Sequence, residues 1–194
     1  MRHTNPTRLL EKLFRKCLND VEYEPLLQPV PDMVAATLPK SANIKSDARA
    51  DLRANGFWQD NVSAFFDTRV FYPFAETYRA KSLEATYKIH EKEKKREYQQ
   101  RIRHVEHGTF TPLVFSSYGT CNKETTTVLK KLASMLADKN STEYAQEVSL
   151  LRVRLSFEFM RSTQRCLRDT RHYRSKANPS RPAPVVIHEA GIAL

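Results

Sequence analysis

The sequence predicts an α/β domain: one mixed central sheet flanked by helices, with extra helices at the C-terminal end. Three observations lead there. Periodicity along the chain runs in the order helix, three strands, helix, strand, helices, and such an order packs most simply as helices against a single sheet. The length of 194 residues suits one domain with a proper core. The stretch "SAFFDTRVFYP", residues 63 to 73, is apolar and aromatic enough for a central strand, yet holds Asp67 and Arg69 two residues apart.

Each element has its own signal. "TNPTRLLEKLFRKCLND" opens with cap residues and Pro6, and Leu10, Leu13, Phe14 and Cys17 recur at helical spacing. "VEYEPLL" reads as a short strand stopped by Pro25. Residues 28 to 47 hold Pro29, Pro31 and Pro39 without periodicity and read as a loop. "ARADLRANGFW" alternates Ala50, Leu52 and Ala54 against Arg49, Asp51 and Arg53, and "QDNV" turns the chain into the next strand. There Ala64, Phe66, Thr68 and Val70 face one way, and Phe65, Asp67, Arg69 and Phe71 the other. "KSLEATYKIHEKEKKREYQQRIRHVEHG" is a long helix ending near Gly108, and "TFTPLVFSSYG" a fourth strand. "KETTTVLKKLASMLADK" and "STEYAQEVSLLRVRLSFEFMRSTQRCLRDTRHYR" are two more helices. The domain therefore spans residues 1–175, and the Pro-rich segment around "ANPSRPAPVV" is expected as a disordered tail over 176–194.

Composition narrows the function. The 32 Lys+Arg exceed the 22 Asp+Glu by a formal charge of +10, which favours a polyanionic partner, nucleic acid before membrane. No apolar run approaches the eighteen residues of a membrane span, and "MRHTNPTRLL" lacks the apolar core of a signal peptide. Cys17, Cys121 and Cys166 are widely spread with no CxxC neighbour, so they read as reduced intracellular thiols rather than a disulfide frame or zinc site. The basic clusters lie within helices and make poor import signals, which leaves a nuclear location open. Four glycines cannot build a phosphate-cradling loop.

If the two central strands form an antiparallel hairpin with their apolar faces on one side, Asp51, Asp67 and Arg69 emerge together on the other. Such a group suits a hard divalent ion, since Mg²⁺ takes oxygen ligands and needs only one or two aspartates beside substrate phosphates. The competing reading is a cross-strand salt-bridge cluster on a solvated face. In the long helix Leu83, Tyr87, Tyr98, Ile102 and Val105 form one stripe, and Glu91 and Lys94 fall within it. Charges there are costly unless paired or placed at a functional cleft. Lys94 brought towards two aspartates would orient an attacking water or stabilise developing negative charge; otherwise it pairs with Glu91 and snorkels.

Lys88, Lys92, Lys95, Arg96, Arg101 and Arg103 give this helix a basic outer face. In the last helix Arg154, Arg161, Arg165 and Arg168 fall on one side, with Leu151, Leu155, Phe159 and Cys166 on another. Two basic stripes fit a phosphate backbone held without sequence reading, or simply two solvated faces. Glu24 is a third acid or a solvent-facing turn residue. His104 and His107 lack a clear third ligand and read as exposed helix-end residues.

Asp51, then fifteen residues, then Asp67-Thr-Arg69, set in this order of elements, resembles the PD-(D/E)XK restriction-endonuclease-like superfamily. That resemblance implies a restriction-endonuclease-like core binding Mg²⁺ for phosphodiester cleavage, with Asp51 and Asp67 as the acids. Arg69 stands where the superfamily prefers lysine, and Lys94 matches branches in which the lysine has moved to the following helix. Glu24 matches the extra acid of resolvase-like branches. The segments "EPLLQP", "DLRANGFW", "AFFDTRVFYP", "HEKEKKREY" and "VEHGTFTPLVFSSYG" resemble a group of uncharacterised proteins of invertebrate genomes, found near or fused to reverse-transcriptase-like sequences of mobile elements. This second resemblance implies a transposable-element origin and further sequence upstream of residue 1. The function so implied is Mg²⁺-dependent hydrolysis of DNA, in preference to RNA. Its rivals are a catalytically inactive nucleic-acid-binding module, and a protein-interaction domain presenting the apolar face of the last helix.

Overall fold

The computed structural model describes residues 4–177, with side chains as far as residue 165. Four strands form one sheet in the order β1-β2-β3-β4, with β1 Val21–Tyr23, β2 Leu52–Asn55, β3 Ser63–Phe71 and β4 Thr109–Ser116. The first three are antiparallel neighbours and β4 runs parallel to β3, so the sheet is mixed as expected. Helix α1 spans Thr4–Cys17, and α2 (Asp32–Ala35) is a single turn inside the 28–47 loop. Helix α3 (Leu83–Lys94) crosses from β3 to β4 and continues through two π-helical segments, Lys95–Gln99 and Ile102–Glu106. Helices α4 (Lys123–Asn140) and α5 (Tyr144–Ala177) follow. The tail expected over 176–194 lies outside the described residues except for 176 and 177, which end α5. No helix among the described residues is long and apolar enough to cross a membrane.

The alternation in β3 sorts the two faces. Ala64 and Phe66, with Leu52, Ala54, Leu113 and Phe115 of the neighbouring strands, pack against α1, α4 and α5 in the main core. Phe14, Phe57 and Phe66 meet there with ring centroids 4.9–5.4 Å apart, and each such fully buried ring stabilises the fold by about 1.5–3 kcal/mol. The opposite face is covered by α3. Phe65 joins Leu27, Tyr98 and Ile102 at one end, and Phe71 joins Tyr87 and Val114 at the other. Asp67 and Arg69 occupy the interval between these two apolar clusters.

Two details set the edges of this arrangement. β4 is one of the two edge strands, and the first turn of α4 covers it: Asn122 caps the helix by accepting from Thr125 N–H, while Thr125 Oγ1 accepts from Val114 N–H at 2.9 Å. Pro112 precedes Val114 by two residues, so its nitrogen faces the same outer side and no ladder bond is lost. The long helix ends at His107, which takes the left-handed conformation (φ 52°). Gly108 follows because a Cβ there would lie 2.6 Å from the Ser63 carbonyl oxygen.

The last helix differs from one expectation. Leu151, Leu155 and Phe159 are buried in the main core, so that face is consumed internally, while Leu150, Val153, Phe157 and Met160 on another face of the helix stay exposed. Cys17 and Cys121 are free thiols, and the side chain of Cys166 lies outside the described residues.

Candidate metal and phosphate site

Asp51 stands where β2 parts from β3. Its own N–H still bonds to the Phe66 carbonyl (3.0 Å), but its Oδ2 accepts the Thr68 N–H at 2.6 Å in place of a backbone acceptor. The chain bends there, and Ala50 crosses to the Phe65 cluster instead of packing with Leu52. Strict alternation from Ala50 to Ala54 therefore fails at the residue whose side chain intrudes on the ladder. The same bend brings the Asp51 carboxylate beside Asp67.

Asp67 is only 5 % exposed. Burial, and then the Asp51 charge, push its carboxyl up to about 7 against the pull of Lys94. Lys94 Nζ lies 3.0 Å from Asp67 Oδ2 and forms a buried ion pair with it. Burial raises Asp51 as well, opposed by the Thr68 N–H and Lys94 and reinforced by Glu24. Lys94 also lies 3.3 Å from Glu97 and 5.4 Å from the centre of the Tyr98 ring. Burial favours its neutral form, but Asp67, Glu97 and Tyr98 together outweigh that and hold it above the ordinary lysine value. Two carboxylates and a fixed cation thus share one sheet face.

The other proposed residues are placed differently. Arg69 is exposed and holds no carboxylate among the described residues; its charge is felt by His90. Glu24 is exposed, in a left-handed turn (φ 51°) whose N–H bonds to the Asp51 carbonyl. Among the described residues no three His, Cys, Asp or Glu side chains converge as a metal cage, so Glu24 does not complete a triad of acids. Glu91 turns from Lys94 to Lys95 (2.9 Å) and Asn122 (3.0 Å), and Lys95 also pairs with Glu124. Lys95 is therefore engaged by carboxylates rather than free for phosphate. Lys92 and Arg96 are exposed with no ion-pair partner among the described residues.

Arg101 reverses the expectation of a basic outer face: it is 0 % exposed. Its guanidinium donates to the carbonyls of Asn43, Lys45 (3.1 Å) and Gln28 (2.9 Å) and so pins the 28–47 loop to the helix. Arg154, Arg161 and Arg165 are exposed on α5, in the layer on the far side of the sheet from Lys94. Arg161 pairs with Glu158 (3.2 Å) and Arg165 donates to Asn5 (3.3 Å). The side chain of Arg168 lies outside the described residues. The two basic stripes do not converge. His104 is exposed beside Gln100 and His107 caps the helix.

His90 escaped the sequence reading although it sits one turn before Lys94 on the same stripe. It is buried against the rings of Phe71 (5.0 Å) and Tyr78 (5.4 Å), with Nε2 unpartnered and Nδ1 3.4 Å from Glu93. Burial, then Arg69 and Lys94, hold it below its ordinary value against the pull of Glu93, so the ring is neutral at physiological pH. Beside this group a cleft of about 460 Å³ opens between loop residues Ser41–Lys45 and the helix; Arg96 and Glu97 line it, and Glu97 joins it to Lys94. The chain matches no protein-family model and no curated protein sequence.

Proposed function

We propose that this chain is a metal-dependent phosphodiesterase domain of the PD-(D/E)XK, restriction-endonuclease-like kind, derived from a mobile element and acting on DNA. The observation that carries this reading is the meeting of Asp51, Asp67 and Lys94, from just before the start of β2, from β3 and from α3, on one face of the sheet. Lys94 takes the place that Arg69 leaves. The donor set fits Mg²⁺: two neighbouring carboxylates, both raised by burial, gain from an added cation.

Asp51 and Asp67 would hold the ion, which when bound supplies Lewis-acid activation of water and of the phosphoryl oxygen. Lys94 is fixed as a cation, so it neutralises charge on the non-bridging oxygens of the pentacovalent phosphate rather than taking a proton from water. In the hydrolysis the water oxygen bonds to phosphorus and releases a proton to solvent, the ester P–O bond breaks, and the leaving oxygen takes up a proton from solvent. Lys92 and Arg96 would hold the adjoining backbone. The choice of DNA over RNA comes from the family resemblance. Burial of Asp67 against Lys94 also favours a second reading, a nucleic-acid grip without chemistry, because the acid is already neutralised there.

Nicking of supercoiled plasmid by the purified chain with Mg²⁺ or Mn²⁺ separates the two. The nuclease reading expects nicking that falls about 100-fold or more in Asp51→Ala and Asp67→Ala. Salt-sensitive binding by all three proteins without nicking would leave only the grip.

A further inference from the structure

We infer that the aromatic group formed by Tyr72, Phe74 and Tyr118 is a stacking subsite for unpaired bases of a nucleic-acid strand. Tyr72 and Phe74 follow directly on β3, and Tyr118 comes from the turn between β4 and α4. Their ring centroids lie 5.9 Å (Tyr72–Phe74), 6.0 Å (Phe74–Tyr118) and 6.2 Å (Tyr72–Tyr118) apart. Such a group would normally be covered, yet Tyr72 is 42 %, Phe74 69 % and Tyr118 60 % exposed.

The backbone beneath the rings is well held. Tyr118 N–H and Thr120 N–H both bond to Ser116 Oγ, and Gly119 N–H bonds to the Ser116 carbonyl. Gly119 supplies the positive φ (84°) that the turn requires. A cleft of about 470 Å³ runs beside Phe74 and Tyr118, and Arg79 and Lys81 line it. Both cations are exposed and hold no carboxylate among the described residues, whereas nearby Glu84 is taken by Lys88 at 3.1 Å.

Exposed ring faces beside free cations match the chemistry of an unpaired nucleotide, which brings a π face and a phosphate together. A purely apolar partner would leave Arg79 and Lys81 unanswered, and a duplex keeps its base faces stacked. Tyr72 lies five residues beyond Asp67, about 16 Å along an extended chain at ~3.3 Å per residue. That separation is a span of a few nucleotides. As a substrate subsite the platform rests on the nuclease reading; as a base-stacking surface it does not. It adds that the substrate presents unpaired bases, as at a flap, fork or single-stranded region.

The test is fluorescence anisotropy in EDTA, which silences cleavage, with labelled oligothymidylate, an abasic strand of equal length and a duplex. The wild type should bind oligothymidylate about tenfold or more tightly than the abasic strand. Phe74→Ala and Tyr118→Ala should bring oligothymidylate close to the abasic level while leaving the duplex unchanged. Tyr72→Phe, Tyr118→Phe and Phe74→Trp keep a ring face and should retain the preference, which separates lost stacking from lost folding. Equal binding of oligothymidylate and abasic strand, wild-type binding by the alanine variants, or no binding of any strand would overturn the inference. A chain that prefers bases but never nicks DNA sinks only the nuclease reading, and one that nicks without preferring bases sinks only this one.

Discussion

Asp67 carries a charge that its surroundings resist. Its carboxyl binds a proton more tightly in the folded chain, at about 7, than in the unfolded chain near the ordinary 3.8. Between those values the folded state holds more protons, so the contribution of Asp67 to stability falls as pH rises from about 4 to about 7 and stays low above that. Asp51, raised by the same burial, adds in the same direction. Asp67→Asn should therefore flatten the decline in stability over this window, read by chemical denaturation at several pH values; an unchanged slope would mean that other groups set it. A cation arriving beside Asp67 would cancel the same penalty, which ties the residue's electrostatics to its proposed work. The alternation of "SAFFDTRV" placed Asp67 and Arg69 on one face. What it could not convey was how far each side chain leaves the strand: Asp67 stays beneath Lys94, and Arg69, longer and nearer the strand's end, runs out to water.

The long helix departs in part from its sequence pattern. Its apolar stripe held at Tyr87, Tyr98, Ile102 and Val105, while Leu83, in the first turn, is exposed. Arg101 is three residues after Tyr98 and four before Val105, so spacing alone puts it on the buried side; its charge argued for the surface. It is buried because three carbonyls of a distant loop accept from it, a partnership invisible in local sequence. Arg101→Met should destabilise the chain by about 2–4 kcal/mol, since the loop carbonyls lose charged donors that water cannot fully replace. Limited proteolysis should then cut residues 28–47 first, and a variant as stable and protease-resistant as wild type would show the loop to be held by other contacts. The two π-helical segments flank this region, at Lys95–Gln99 and Ile102–Glu106. Such segments are common at functional sites. In β2 the missed feature was likewise tertiary: no alternation pattern reveals that Asp51 will take the N–H of Thr68.

At the scale of the whole molecule, element order and a mixed sheet were legible because each segment's periodicity was clear and β3 to β4 needed a crossover helix. The layers were less so. Two basic stripes look alike in sequence, yet α3 covers the face bearing the acids and α5 lies on the other. Nucleic acid held at the acid site should answer to one stripe only. Lys92→Ala with Arg96→Ala should reduce the slope of log affinity against log salt by about 2, while Arg154→Ala with Arg161→Ala should leave it unchanged. Equal loss from both pairs would place the strand elsewhere. Whether Asp51 and Asp67 form a metal site on the sheet is decided by calorimetric titration with Mn²⁺ in buffers of different protonation enthalpy. A metal site there should take up an ion with release of about one proton near pH 6, fading towards none near pH 8.5, and should lose that uptake in Asp67→Asn. Mn²⁺ binding that is equal in Asp67→Asn, or absent from the wild type at millimolar ion, would contradict it.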